Sequence, residues 1–269
     1  MTRTPDWGGV ALTHVEPVMG TAVSIRACAR TSPRTSDADG DVGAAVAASV
    51  AEAVRLLHEV HHRFTTWDAD SEWMRCVDGS LDLDDAHPDV RHVAHACEAL
   101  AAETDGAFSL TANPRRPPDP AAYVKGWALQ RAAETILMGG ADAVMVNGGG
   151  DVVVAGGDEP WRVGIQHPAE PDMVVAVVEL QRGAVATSGC YERGPHLVAP
   201  STGAPADHWA SASIIGPDLG LADAYSTAAF VMGRDAPAWV ATLGPGYAGY
   251  FVDTAGRVES VGFRPPANG

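Results

Sequence analysis

The spacing of apolar residues changes several times along this chain, and each change predicts an element. Alternation in GTAVSIRACA (20–29) predicts a strand. Behind a polar loop at 31–41 the interval lengthens. Val50, Val54, Leu57 and Val60 recur at helical spacing, which predicts a long amphipathic helix over 42–64. FTTWDADSEWMR (64–75) leaves that helix, and Asp70 or Ser71 is placed to cap a short new one. Helical spacing returns over 88–108, ending at Asp105-Gly106, and over 121–140 behind the proline-rich RRPPDP. Residues 111–120 read as a loop. ADAVMVNGGGDVVVAGG (141–157) predicts two strands about a glycine turn, and WRVGIQHP, MVVAVVELQRGAVATSG and ASASIIGP supply further strands. Residues 221–233 and then 236–244 read as helices, and the chain closes on a hairpin around Asp253–Gly256.

Helices among strands that often lie in adjacent hairpins predict an α+β fold, with antiparallel or mixed sheets packed with several helices. No linker clearly divides the chain, so residues 1–269 are expected to form a single domain, with no boundary between lobes marked. The apolar fraction, 46%, is enough for a sizeable core. The formal net charge of -16 changes the picture. It excludes a nucleic-acid surface, and it means that an anionic ligand needs a local device: a metal ion, a lysine or backbone amides. The cysteines, Cys28, Cys76, Cys97 and Cys190, show no CxxC-like spacing, so free thiols are expected rather than a structural zinc. The first twenty residues hold no signal-peptide or lipobox pattern, and no apolar run has membrane-spanning length. The expected compartment is the cytoplasm.

Candidate chemistry has to compete with plain structure. NGGGD (147–151) fits neither a Walker loop nor a dinucleotide fingerprint, so a tight strand-to-strand turn is the better local account. His58, His61 and His62, and likewise His87, His92 and His95, read as solvated helix faces before they read as metal ligands. ATSG (186–189) lacks the GxSxG elbow of a serine nucleophile. Asp223 and Thr227 stand four apart on a predicted helix and share a side. They are hard oxygen donors suited to Mg²⁺, although capping by Asp223 and back-bonding by Thr227 would use the same residues.

Seven segments in order carry a resemblance to a known family. They are MGT (19–21), FTTWDADSE, DGAFSLT (105–111), DPAAYVKG (119–126), VNGGGDVVVAGGDEPWRVGIQHP, VATSGCYER…HLVAPSTGAP and ADAYSTAAFVMG. Together they resemble the ApbE family of FAD:protein FMN transferases. The resemblance implies an enzyme that binds FAD as its substrate and passes FMN to a Thr or Ser hydroxyl of an acceptor protein, releasing AMP. It implies Mg²⁺ on Asp223, Thr227 and the carbonyl of Ala122, with Asp223 and Thr227 serving catalysis through it. It also implies His196 as the general base, Lys125 as a second positive charge beside the phosphates or flavin edge, and Asp119 as an acceptor for FAD.

By the same resemblance Met19, Trp67, Ala107, Phe108 and Ser109 line the flavin or adenine pocket, Trp67 by stacking. Segment 183–205, with Thr187, Ser188, Gly189 and Leu197, wraps the ligand. The chain departs from the family pattern at Ala199 and Ser109, where the family has Asp. A protein that only binds FAD, or splits it to FMN and AMP, is the alternative these departures leave open.

Overall fold

The computed structural model describes residues 9–30, 36–113, 116–189 and 206–263. Strands β1 (Gly9–Val18), β2 (Thr21–Arg30), β3 (Ala143–Gly148), β4 (Asp151–Gly156), β7 (Arg182–Gly189), β8 (Trp209–Gly216), β9 (Ala248–Asp253) and β10 (Val258–Val261) form one sheet in the order β1-β2-β3-β4-β7-β8-β9-β10. Strands β5 (Trp161–Gln166) and β6 (Val174–Leu180) pair separately. Every pairing in both sheets is antiparallel, which narrows the expected antiparallel-or-mixed arrangement.

Strand alternation gives the large sheet two apolar faces. On one, Ile25, Val144, Val146, Val153 and Ile214 pack into a single buried cluster with helix residues such as Leu57, Leu129, Ile136 and Phe230. On the other, Cys28, Val152, Val154, Val185 and Ile215 meet Trp161, Val163 and Ile165 of β5 and Val178 of β6. The sheet is therefore covered by helices on one side and by the β5–β6 hairpin on the other. Cys28, Cys76 and Cys97 carry free thiols, as expected; Cys190 lies outside the described residues.

The helices are α1 (Ser36–Phe64), α2 (Glu72–Val77), α3 (Pro88–Glu103), α4 (Ala121–Met138), α5 (Leu219–Met232) and α6 (Ala236–Val240). Three boundaries differ from expectation. Strand β1 was not predicted: its apolar positions are interrupted by His14, Glu16 and Pro17, which suit an edge strand with only β2 as neighbour. Helix α1 begins at Ser36, inside the segment expected to be a loop. Helix α3 stops at Glu103 because the Thr104 hydroxyl donates to Leu100 O at 2.7 Å and accepts from the Phe108 amide at 3.0 Å, after which Asp105 and Gly106 turn left-handed. Ser71, one of the two proposed caps, does cap α2, accepting from the Met74 amide.

Helices α4 and α5 touch at Gly126. A Cβ there would lie 2.3 Å from Leu219 O and 2.9 Å from Asp223 Cβ, so only glycine permits this approach. The contact sets the position of the polar residues that follow.

Candidate functional site

The β3–β4 turn is built on Gly149 and Gly150, both at positive φ (62° and 89°), with the Gly150 amide donating to Asn147 Oδ1 at 3.2 Å. The turn delivers Asp151 to the first position of β4, fully buried on the helix side of the sheet. There it meets Lys125 from α4, whose Nζ lies 2.5 Å from Asp151 Oδ2. The ion pair with Lys125 is what holds Oδ2 among the described residues. Asp151 Oδ1 accepts from the Thr187 amide of β7 at 2.9 Å.

A second buried carboxylate completes the set. Asp223 of α5 lies with Oδ1 3.6 Å from the same Nζ, and its Oδ2 accepts from the Gly126 amide at 3.1 Å. Burial pushes the Asp223 carboxyl well above the usual carboxylate range. The Lys125 ammonium pulls it back and the Asp151 carboxylate raises it again. Two acids thus share one ammonium, whose side chain is about a quarter exposed.

Hydroxyls border this set in a directed chain. Ser226 gives its proton to the Asp223 carbonyl at 2.9 Å. Ser188 Oγ, 2.8 Å from Ser226 Oγ, must therefore donate to it, and Thr227 Oγ1, 3.1 Å from Ser188, must donate to Ser188. Among the described residues the lone pairs of Thr227 take no hydrogen bond. The competing use of these residues does not hold: Asp218, not Asp223, caps α5, and Thr227 bonds Ser188. Hard oxygens around an excess of one negative charge fit a divalent cation of the Mg²⁺ type. Among the described residues no three His, Cys, Asp or Glu side chains form a metal cluster, so protein ligation here would rest on one acid, a hydroxyl and a backbone carbonyl.

The other expected residues lie on several elements. Ala122 stands one helical turn before Gly126 on α4. Asp119 Oδ1 accepts from the Ala121 amide at 3.0 Å and so braces the start of α4. The Phe108 side chain is spent on the core, while Ala107 is half-buried beside it. Ser109 Oγ accepts from the Thr111 amide at 3.2 Å. Trp67 is 86% exposed, with the Arg116 guanidinium 5.3 Å above its ring. Thr187 places its hydroxyl on Ser213 (2.8 Å), on the hairpin side of the sheet, opposite to Ser188. Gly189 ends β7. His196, Leu197 and Ala199 lie outside the described residues.

Met19, at φ 56° between β1 and β2, lines a groove of about 500 Å³ with His58, His61 and His62. His62 is exposed, as a solvated helix face requires, but His58 is not simply solvated. Glu16 of β1 receives His58 Nε2 at 2.8 Å and His14 Nε2 at 3.2 Å, a partner brought in by a strand the pattern did not predict. His87 and His92 are likewise engaged. The first caps α3 through the Asp89 amide, and the second stacks on Trp127 and meets Tyr123 OH at 3.1 Å.

Sequence reasoning missed Asp151. It was visible only as the last letter of a glycine turn; its partners come from α4 and β7.

A sheet layered by helices on one face and a hairpin on the other, with an acid–lysine–acid set walled by hydroxyls, defines an α+β protein with an oxygen-lined ionic site. The ApbE family model matches residues 19–116 and 119–251, and the chain belongs to that family. It is similar to the FAD:protein FMN transferase of Escherichia coli K12, 36% identical over 86 residues, which cover 28% of this chain and 24% of the relative. The corresponding Salmonella typhimurium protein is 34% identical over 85 residues. The chain thus spans about a quarter of the length of these curated relatives in the matched region. Its fold is similar to that of the ApbE protein of Thermotoga maritima, with TM-score 0.76, 25% identity, and 94% of this chain and 97% of that one covered. It is also similar to the flavin transferase ApbE of Vibrio cholerae, with TM-score 0.75, 20% identity, and 93% and 96% covered.

Proposed function

We propose that this chain transfers the FMN part of FAD to a Thr or Ser hydroxyl of an acceptor protein and releases AMP, using Mg²⁺ held by Asp223, Thr227 and the Ala122 carbonyl. The observation that carries the reading is the buried pair Asp151 and Asp223 about the single ammonium of Lys125, bordered by the lone pairs of Thr227. Family membership and the names of the curated relatives point the same way.

When bound, a cation held by Asp223, Thr227 and the Ala122 carbonyl would supply positive charge that offsets the negative charge building on the departing phosphate. The chain's own residues do the rest. Lys125 presents a fixed ammonium to the dinucleotide's phosphates. Ser188 and Ser226 orient Thr227. Trp67 offers a ring face to the flavin or adenine, with Met19, Ala107, Ser109 and Asp119 and the backbone of Phe108 around it, and Ser188, Gly189, Leu197 and the backbone of Thr187 along the segment that wraps the ligand. His196 takes the proton of the acceptor hydroxyl. The acceptor oxygen forms a bond to the FMN phosphorus, the bond from that phosphorus to the bridging oxygen breaks, and AMP leaves with that oxygen.

The test is incubation with FAD, Mg²⁺ and an acceptor domain carrying a Thr or Ser site, followed by mass spectrometry of the acceptor and assay of AMP. The expected result is an acceptor heavier by one FMN and an equal yield of AMP. AMP and free FMN with no flavinylated acceptor would replace transfer by hydrolysis, and bound FAD with neither product would leave simple binding.

A further inference from the structure

Lys125 stands between two carboxylates but not midway: its Nζ is 2.5 Å from Asp151 and 3.6 Å from Asp223. Asp151 cannot drift toward another partner, because it directly follows the Gly149–Gly150 turn and its second oxygen is held by the Thr187 amide. The lysine stem is flexible enough to serve either acid. Which acid it serves decides what is left over. Paired more closely with Asp151, it leaves the Asp223 charge only partly offset among the described residues, a costly state in a buried site that a divalent cation relieves. Paired with Asp223, it would close that acid into a neutral ion pair, and a cation would have to break the pair before binding.

We propose that Asp151 is a positioning residue: it holds the Lys125 ammonium off Asp223 and so keeps the Asp223 oxygens open to the cation. The inference rests on the reading that Asp223 takes the cation. Asp151 also ties α4 to β7, the strand whose Ser188 orients Thr227, so one side chain keeps both proposed cation ligands in their working state.

The experiment is titration of Mn²⁺ alone into the whole protein, followed by electron paramagnetic resonance of the free ion, for the parent, Asp151→Asn, Lys125→Met, the double variant and Asp223→Asn. Asparagine keeps an oxygen for the Thr187 amide while removing the charge that holds the lysine. Asp151→Asn should weaken Mn²⁺ binding by about tenfold or more, the least expected of a unit charge lost a few ångström away. Lys125→Met should tighten it. The double variant should return to within about threefold of the parent, because the lysine that would have moved onto Asp223 is gone.

Unchanged binding in Asp151→Asn, or weakened binding that removal of Lys125 does not restore, overturns the proposal and leaves Asp151 a structural residue. If Asp151→Asn does not fold, Lys125→Met alone decides, since weaker binding in it contradicts the proposal. Parent-like binding in Asp223→Asn would instead show that the cation is elsewhere, so failure of the underlying reading has its own signature.

Discussion

Asp223 is buried at 3% exposure and shares Lys125 with Asp151, so among the described residues its charge is only partly offset. Removing the carboxylate should cost the fold little: in Asp223→Ala, Lys125 remains paired with Asp151, and relief of a buried acid offsets the lost contact with the Gly126 amide. We expect the unfolding midpoint of the variant to match or exceed the parent's. Flavin transfer should lose its Mg²⁺ dependence and fall by about a hundredfold or more, the equivalent of several kcal/mol of metal-borne stabilisation. Transfer at the parent rate, measured at saturating FAD, would remove Asp223 from the reaction. His196 makes a complementary case. His196→Ala should retain FAD affinity, read by flavin fluorescence quenching, and lose about 10²- to 10⁴-fold in transfer, as expected for loss of a general base. An unchanged rate would assign that proton elsewhere.

Between α4 and α5 the spacing of whole elements depends on one missing methyl group. A Cβ on Gly126 would press on Leu219 O and Asp223 Cβ, atoms of backbone and near-backbone that cannot swing aside. Gly126→Ala should therefore destabilise the protein by about 1–3 kcal/mol in urea unfolding, the usual range for overpacking. It should also weaken cation binding, because the same shift moves Asp223 away from the Gly126 amide. A stable variant with parent-like Mn²⁺ affinity would show that the helices tolerate separation. The β9–β10 hairpin carries a pH-dependent term of its own. The amide of Arg257, its guanidinium and the amide of Ala255 hold the Asp253 carboxyl below its ordinary value of 3.8. A depressed carboxylate contributes stability that is present above the unfolded-state value and is lost as pH falls through the folded one. Asp253→Asn should thus lower the thermal midpoint at pH 6, and the gap to the parent should narrow as pH falls below 3.8 and through the lower folded-state value. A gap that persists in acid would mean that geometry alone, and not charge, makes the turn.

For the molecule as a whole, what could be read in advance was what lies close in sequence. Alternation and turn residues marked the β3–β4 and β9–β10 hairpins, and apolar runs marked β5 to β8 as strands. Helical spacing marked α1, α3, α4 and α5, and the four-residue interval put Asp223 and Thr227 on one side of α5. What could not be read was what the sheet order brings together. Strand β1 hides because an edge strand tolerates His14, Glu16 and Pro17. Asp151 hides because its meaning depends on β4 lying beside β7 and under α4. The same long-range assembly bears on the net charge of -16, which opposes a dinucleotide unless a local device, here Lys125 with the proposed cation, reverses the field. If the proposed cation is that local device, chelation must affect binding as well as turnover. EDTA should weaken FAD affinity by about tenfold or more in a fluorescence titration, while Asp223→Asn, already lacking the ligand, should barely respond. Added salt at about 0.5 M should recover part of the lost affinity in EDTA by screening the repulsion between the acidic protein and the pyrophosphate, the reverse of the behaviour of a basic nucleotide site. FAD affinity indifferent to EDTA would mean that the protein overcomes its own charge without a metal, with Lys125 and backbone amides as the remaining means.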